Sequence, residues 1–233
     1  MDRWCGRIAA VTGAGSGIGL AIVKALFRYG VTVVGMDVNL CKFKDFAEKC
    51  GSSNLHALQT DVTKEEDVVK NFCWVNQNMG RLDILVNGAG VFTDRPLSEL
   101  FYKIVAMGMD KIPLRRVTIN STLESVTLID SGDNYDGDVQ VIEPEIPIFE
   151  LAPFLSVSLW GMMPVIEQVS PGVVYTDLFN QLQRFKPERL YQHPHLKPED
   201  IANAVIFALG APPTVQVTEM IVLPVGQKML GQM

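Results

Sequence analysis

The sequence predicts an α/β fold built on a single doubly wound parallel sheet. The first observation is an alternation of short apolar runs and longer amphipathic segments over residues 1–90. The second is a glycine-rich turn placed directly after the first apolar run. The third is the length of 233 residues, which is enough for one well-buried domain and short for two. We therefore expect one domain over residues 1–233, with a Rossmann-type sheet that is irregular in the middle segment.

The elements of the first half have recognisable boundaries. The apolar or β-branched runs predict strands at Ile8–Val11, Val31–Met36, Leu55–Thr60 and Leu82–Val86. Helices are predicted between these strands: the first begins over Leu20–Phe27, the second spans Leu40–Cys50 and the third runs to about Met79. Each of them stops at a glycine, namely Gly30, Gly51 and Gly80. The third helix is predicted to begin with a capping box in which Thr63 is the N-cap and Glu66 is the third helical residue.

The second half is less regular. Val117–Ser121 has the pattern of a fifth strand, and Val215–Leu223 that of the last one. Between them, Pro198 and the two acids after it predict a helix start, and the helix has an apolar face at Ile201, Val205 and Leu209. Residues 98–167 show no clear alternation, so we treat them as an atypical segment.

Composition excludes several classes of function. The net charge of −6 argues against a nucleic-acid partner, and no apolar run is long enough to cross a bilayer. The charged start at Asp2, Arg3 and Arg7 does not fit a secretory signal. The four cysteines lack the spacing of metal ligands or of a Cys-x-x-Cys motif. We therefore expect a cytoplasmic protein with free thiols, no metal site and no membrane partner.

The glycine-rich turn predicts a site for a dinucleotide. Its spacing fits T-G-x-x-x-G-x-G better than G-x-G-x-x-G, and it lies between a strand and a helix. Glycines let the backbone approach a pyrophosphate, and the helix N-terminus offers N–H groups and a positive dipole end. The alternative is an ordinary strand-to-helix turn. The predicted phosphate-binding residues are Thr12, Gly13, Ser16, Gly17, Ile18 and Gly19.

Asp37 predicts which dinucleotide binds. It follows the second predicted strand, 18 residues after Gly19, where a carboxylate can accept hydrogen bonds from both ribose hydroxyls of adenosine. The same carboxylate would repel the 2′-phosphate of NADP. Neither the glycine-rich turn nor residues 36–41 contain an Arg or Lys to pair with that phosphate. The sequence therefore favours NAD over NADP; the alternative is that Asp37 is a surface acid in a turn.

These motifs resemble the short-chain dehydrogenase/reductase family over residues 1–97 and 168–228, and the two ends are most similar to its farnesol dehydrogenase-like carbonyl reductase subgroup. The resemblance implies an NAD(P)-dependent oxidoreductase that transfers a hydride between nicotinamide and a small alcohol or carbonyl substrate. It further implies that the Asp61-Val62 pair contacts adenine and that Asn87, Ala89 and Gly90 lie under the cofactor. By the same resemblance, the nicotinamide carboxamide is held by Pro171, Gly172 and Thr176.

The middle segment departs from the family where its catalytic residues should lie. In the family a Lys four residues after the catalytic Tyr lowers the Tyr pKa, which is near 10 in the free residue. No Tyr of this chain has a Lys at that position, and Val117–Gln183 contains no Lys or Arg but ten acids. Ser121 and Tyr135 match the catalytic Ser and Tyr by position only. Tyr135 lies in an acidic turn-like stretch, where neighbouring carboxylates would raise its pKa. The alternative is a tyrosine in a solvated surface loop.

Three hypotheses about function therefore stay open. The first is a short-chain oxidoreductase with degraded or unusual catalytic residues, and the second is a nucleotide-binding pseudoenzyme without turnover. The third is a defective family member whose residues 98–167 come from an altered exon or reading frame. The family's homo-oligomers pair through two helices of this region. The prolines at positions 144, 147, 153 and 164 argue against those helices, so the sequence leaves the oligomeric state undecided.

Overall fold

The structure is a computed structural model that describes residues 1–90, 117–119, 126–128, 156–158, 166–181 and 191–226. The chain divides into two units. The larger contains Met1–Val91, Pro153–Gln181 and Lys186–Gln227, and the smaller contains Phe92–Ala152, Leu182–Phe185 and Lys228–Met233. Most of the smaller unit lies outside the described residues, so the single domain over residues 1–233 stays a prediction.

The described part of the larger unit contains four α-helices, two short 3-10 helices at Asp2–Trp4 and Asp177–Gln181, and seven of the nine described strands. The strands are β1 (Ile8–Thr12), β2 (Thr32–Asp37), β3 (Leu55–Gln59), β4 (Ile84–Asn87), β5 (Val117–Ile119), β6 (Val126–Leu128), β7 (Ser156–Ser158), β8 (Ile166–Pro171) and β9 (Val217–Val222), of which β5 and β6 belong to the smaller unit. The helices are α1 (Gly17–Arg28), α2 (Cys41–Cys50), α3 (Glu65–Met79) and α4 (Pro198–Leu209). No helix in the described part of the chain combines the length and apolar character needed to cross a membrane.

The central sheet has the strand order β3-β2-β1-β4-β7. Its first four strands are parallel, with Val11 opposite Gly35 of β2 and Val86 of β4. The predicted α/β fold with a parallel sheet is therefore confirmed. At the edge, β7 runs antiparallel to β4, with Val157 opposite Val86. In addition, β8 and β9 form a parallel pair of their own.

The smaller unit contains the strand that the sequence predicted as the fifth. There β5 pairs antiparallel with β6, with Thr118 opposite Thr127. The described strands of the central sheet do not include β5, which forms a two-stranded sheet with β6. Ser121, which follows this strand in the sequence, lies outside the described residues.

The larger hydrophobic cluster of this unit lies between the sheet and the pair α1 and α4, and a smaller cluster with Val34 and Val75 packs α3 against the sheet. Val11 of β1, Val33 of β2 and Ile22 of α1 are fully buried. The apolar face of α4 is buried as predicted, and it belongs to the same cluster of side chains as α1; its members are Ile201, Val205 and Leu209. This packing holds the N-terminal end of α1 at the carboxyl edge of β1, where the glycine-rich turn lies.

Two helix starts differ from the sequence predictions. Helix α1 begins at Gly17 rather than Leu20, so part of the glycine-rich turn is already helical. The Thr63 capping box is wrong: α3 begins at Glu65 with Lys64 as the N-cap. The Thr63 hydroxyl instead donates a hydrogen bond of 2.6 Å to Asp61 Oδ1. An Asp two residues earlier offers a charged acceptor within a local turn, and this turn competes with the cap.

Candidate cofactor site

The candidate site lies at the carboxyl edge of the parallel sheet. Because β1, β2 and β3 run in the same direction, their last residues meet at one edge, with Thr12 opposite Met36 and Asp37 opposite Gln59. Crevices at this edge are where open α/β sheets bind ligands. The residues predicted to hold the phosphates and the adenosine are brought together here.

The glycine-rich turn has no room for a side chain at Gly13. Gly13 has a φ of +71°, a conformation that L-residues rarely adopt. A Cβ atom at Gly13 would overlap the carbonyl group of Gly88. At the following helix start, Ser16 is the N-cap of α1 and its side chain makes no capping hydrogen bond within the described residues. The N–H groups at the start of α1 therefore receive no cap from the Ser16 side chain, which suits an anion site at a helix N-terminus.

Thr12 ties the turn to the segment after β4. Its buried hydroxyl oxygen accepts hydrogen bonds from the backbone N–H groups of Gly88 at 3.1 Å and Ala89 at 3.2 Å. This link joins two of the predicted motifs, the glycine-rich turn and the Asn87–Gly90 segment. The sequence did not single out Gly88, whose carbonyl lies where a Gly13 side chain would be.

Asp37 is held by two backbone donors. Its Oδ2 accepts a hydrogen bond of 2.9 Å from the Gly15 N–H, and its Oδ1 accepts one of 2.9 Å from the Asn39 N–H. A Cβ atom at Gly15 would overlap the Asn39 carbonyl oxygen and approach the Asp37 carboxyl carbon at 2.9 Å. The carboxylate is only partly buried, so its orientation is set by these contacts while solvent still reaches it.

Sequence reasoning missed Gly15 and Asn39 as members of the site. The signal for Gly15 was present, since it is the middle glycine of the G-A-G-S-G run. Asn39 carries no motif, because its contribution is a backbone N–H that any residue other than proline supplies. Only the fold shows that both donors converge on one carboxylate.

The predicted adenine-binding pair lies after β3. The Asp61 carboxylate accepts hydrogen bonds from the Thr63 backbone N–H and hydroxyl, and it is 3.5 Å from the Lys64 ammonium. The hydroxyl and backbone N–H of Thr63 hold the pKa of the Asp61 carboxyl below its usual range, and Lys64 acts in the same direction. Val62 is 47 % exposed. The predicted adenine-binding pair thus consists of an ionised carboxylate, Asp61, next to an exposed apolar side chain, Val62.

Helix α3 holds the end of β3 in place. The buried Asn71 donates its amide N–H groups to the Gln59 carbonyl at 2.9 Å and to the Thr60 hydroxyl at 2.7 Å. One turn earlier, Asp67 accepts a hydrogen bond of 3.1 Å from the Asp61 N–H. An open cavity of about 440 Å³ lies beside this segment and is lined by Val38, Gln59, Asp61, Lys64, Asp67 and Lys70.

The predicted nicotinamide-binding segment follows β8. Gly172 continues the pairing with β9 through a hydrogen bond of 2.8 Å from its N–H to the Val222 carbonyl. Thr176 lies against the start of α1, because a Cβ atom at Gly17 would be 3.2 Å from Thr176 Cγ2. Next to it, Asp177 forms an ion pair with Lys42 of α2. The structure therefore places Thr176 beside the phosphate turn.

The predicted catalytic pair cannot be placed in the same way. Ser121 and Tyr135 both lie outside the described residues, so their roles stay predictions. Within the described ranges, no group of three or more His, Cys, Asp or Glu side chains is arranged to hold a metal ion.

Comparison with known protein families gives a match over part of the chain. Residues 7–109 match the family model described as short chain dehydrogenase. The match spans the glycine-rich turn, Asp37, the Asp61-Val62 pair and the segment after β4. It ends inside residues 98–167, the segment that the sequence marks as atypical.

Whole-chain relatives extend the comparison. The farnesol dehydrogenase of Aedes aegypti is 30 % identical, over 98 % of this chain and 100 % of that protein. Dehydrogenase/reductase SDR family member 11 of Gallus gallus is 27 % identical, over 97 % of this chain and 99 % of that protein. The first alignment covers 260 positions and is longer than this chain, so that relative contains residues with no counterpart here.

Among solved structures, the fold is similar to that of the alcohol dehydrogenase from the archaeon Thermococcus sibiricus, complexed with 5-hydroxy-NADP. The TM-score is 0.57, with 20 % identity over 95 % of this chain and 98 % of that one. At this identity the likeness concerns the fold, and it agrees with the α/β architecture and the parallel sheet.

Proposed function

This chain belongs to the short-chain dehydrogenase/reductase family of oxidoreductases, and we propose that it binds NAD in preference to NADP at the carboxyl edge of its parallel sheet. The observation that carries this proposal is the Asp37 carboxylate, which the N–H groups of Gly15 and Asn39 hold at the end of β2. The carboxylate stands next to the glycine-rich turn, where the adenosine ribose of a dinucleotide would lie.

Electrostatics supports the cofactor preference. A ribose with free 2′- and 3′-hydroxyls donates hydrogen bonds to a carboxylate, and such charge-assisted bonds are the stronger ones. A 2′-phosphate brought to the same place meets a negative charge at short range, where the repulsion is poorly screened. Lys42 is the first cation after Asp37, and its ammonium is engaged with Asp177.

The rest of the donor set suits the other parts of the cofactor. The bare backbone of the turn at Gly13 and the N-terminus of α1 suit the pyrophosphate. Val62 and the cavity beside Asp61 suit the adenine ring, and Thr176 suits the nicotinamide end. When bound, the nicotinamide ring supplies a carbon that accepts or donates a hydride.

The substrate class that we propose is an alcohol or carbonyl compound. Support comes from the whole-chain relative that is named as a farnesol dehydrogenase. For the catalytic residues we keep Ser121 and Tyr135 as the candidates, since they match the family by position. We propose a cytoplasmic location and a single domain on the sequence grounds given above.

The test of the proposal is a pair of titrations. NADH and NADPH are added to the purified protein, and the quenching of protein fluorescence and the enhancement of cofactor fluorescence give the two dissociation constants. We expect NADH to bind at least tenfold more tightly, which corresponds to about 1.4 kcal/mol. Equal affinity for the two cofactors, or tighter binding of NADPH, would contradict the preference.

A second candidate function is cofactor binding without turnover. It is favoured by the absence of any Tyr with a Lys four residues later, because the family depends on that pair to generate a phenolate. Absorbance at 340 nm with a panel of alcohols plus NAD, and of ketones and aldehydes plus NADH, separates the two. Activity on any of them supports the oxidoreductase, whereas binding with no activity on the whole panel supports the pseudoenzyme.

The altered-exon hypothesis has its own test. The family-model match ends at residue 109, and the mosquito relative has residues with no counterpart here. Comparison of the transcript over residues 98–167 with the genomic reading frame shows whether an exon has been replaced or skipped. An uninterrupted frame with ordinary splice sites would contradict the altered-exon hypothesis.

A further inference from the structure

Thr176 is held by a tyrosine that is distant in sequence. The hydroxyl of Tyr191 donates a hydrogen bond of 2.9 Å to the Thr176 carbonyl and accepts a longer one, of 3.4 Å, from the Thr176 N–H. One side chain thus engages both polar groups of the Thr176 backbone. Partial burial raises the pKa of the Tyr191 hydroxyl above its usual range, so the hydroxyl keeps its proton at neutral pH and remains a donor.

The ring of Tyr191 is itself fixed by two other rings. The ring centroid of Tyr175 is 4.3 Å away and that of His195 is 5.5 Å away, distances that are typical of packed aromatic pairs. The backbone is tied at the same place, because the Tyr175 N–H donates to the Leu196 carbonyl at 2.7 Å and the Leu196 N–H donates to the Val173 carbonyl at 2.8 Å. The hydroxyl of Tyr191 therefore has little freedom to leave Thr176.

The contact between Tyr191 and the Thr176 backbone fixes a residue that lies beside the glycine-rich turn. Its side chain lies against Gly17 at the start of α1, next to the turn proposed for the pyrophosphate. A threonine whose backbone can rotate would present its hydroxyl in several directions, whereas one that is held at both its N–H and its C=O presents it in one. Holding a polar group in its bound orientation before the ligand arrives reduces the entropy lost on binding.

We propose that Tyr191 is a positioning residue that orients Thr176 toward the nicotinamide half of the cofactor. This inference rests on the proposed function, because it assigns a role within the NAD site. Tyr191 does not touch the reacting atoms; it acts through Thr176. Tyr175 and His195 act one step further away by holding the Tyr191 ring.

The test uses two ligands that differ in the nicotinamide ring. The dissociation constants of NADH and of ADP-ribose, which lacks that ring, are measured by fluorescence and by calorimetry for wild type and Tyr191→Phe. The substitution removes both hydrogen bonds to the Thr176 backbone. We expect it to weaken NADH binding about threefold to tenfold and ADP-ribose binding less than twofold. The matched control is Tyr29→Phe at an exposed tyrosine at the end of α1, which should change neither constant.

A double-mutant cycle shows whether Tyr191 acts through Thr176. Thr176→Val removes the hydroxyl and keeps the shape of the side chain. In that background we expect Tyr191→Phe to weaken NADH binding by less than twofold, because the Thr176 hydroxyl that Tyr191 would orient is already missing. Independent, multiplying losses would overturn the proposal. His195→Ala, at an exposed position, removes part of the support of the Tyr191 ring and should weaken NADH, again with ADP-ribose spared.

The outcomes separate this inference from the proposed function. If wild type binds neither NADH nor ADP-ribose, the proposed function is overturned and the inference falls with it. If wild type binds both and Tyr191→Phe leaves NADH unchanged, or weakens the two ligands equally, only the role of Tyr191 is overturned. Selective loss of NADH affinity, at an unchanged melting temperature, supports the inference.

Discussion

The carboxylate of Asp37 accepts a hydrogen bond of 2.9 Å from the backbone N–H of Gly15, although the two residues belong to different βα units of the sheet. This contact joins the residue proposed to select the cofactor to the turn proposed to bind its phosphates. The two parts of the site therefore depend on each other.

Replacing Asp37 should reverse or remove the preference between cofactors. We expect Asp37→Asn to weaken NADH about tenfold or more, because hydrogen bonds to a charged acceptor are replaced by weaker ones. NADPH should bind as before or more tightly, since the repulsion of its 2′-phosphate is gone. Fluorescence titration of both cofactors gives the ratio, and Asp45→Asn on the exposed face of α2 is the control. A ratio equal to that of wild type would contradict the role of Asp37.

A side chain at Gly13 should destabilise the folded protein. Gly13→Ala combines a positive φ with overlap of the Gly88 carbonyl, and we expect it to lower the free energy of unfolding by roughly 2–4 kcal/mol. Gly51→Ala is the matched control, because Gly51 also has a positive φ, of +57°, but no atom within 4 Å of the added Cβ. It should cost only about 1 kcal/mol. Urea unfolding of both variants gives the difference between their free energies of unfolding. Equal losses in the two variants would contradict the steric role of the Gly88 carbonyl.

Loss of the Thr12 hydroxyl should loosen the link between β1 and the segment after β4. Thr12→Val keeps the shape and removes the acceptor of the Gly88 and Ala89 N–H groups. We expect the free energy of unfolding to fall by roughly 1 kcal/mol. This is the lower end of the cost of leaving a donor unpaired, because Ala89 is exposed and water reaches its N–H. Thr12→Ser should restore most of it. Chemical denaturation measures both variants, and a serine variant as unstable as the valine variant would contradict the hydroxyl's role.

Asp61 should contribute stability that depends on pH. Thr63 holds its pKa below the ordinary value of 3.8, so the folded state favours the ionised form. A group with a depressed folded pKa contributes stability above its unfolded pKa and loses it as the pH falls through the folded pKa. We therefore expect wild type to be more stable than Asp61→Asn at pH 7 and the difference to shrink below about pH 4. Thermal unfolding between pH 7 and pH 3 checks this, and a difference independent of pH would refute it.

Local signals in the sequence were sufficient for most elements of the first half. The second strand was predicted at Val31–Met36 and is observed at Thr32–Asp37, and the second helix was predicted at Leu40–Cys50 and is observed at Cys41–Cys50. Apolar runs and terminating glycines determine the structure of the residues next to them, so they can be recognised from the sequence alone. The failed capping box at Thr63 shows the limit of such signals, because a nearby Asp61 offered the same hydroxyl another partner.

The sequence by itself determined the α/β class, the glycine-rich turn, the position of Asp37 and the lack of a Tyr-Lys pair. Only the tertiary structure decided which groups meet: Asp37 with Gly15, Thr12 with Gly88, Thr176 with Gly17, and Tyr191 with Thr176. The physical reason is that patterns of hydrophobicity and glycine spacing act locally. Contacts between separate segments depend on strand order, on register and on backbone N–H and C=O groups that every residue carries.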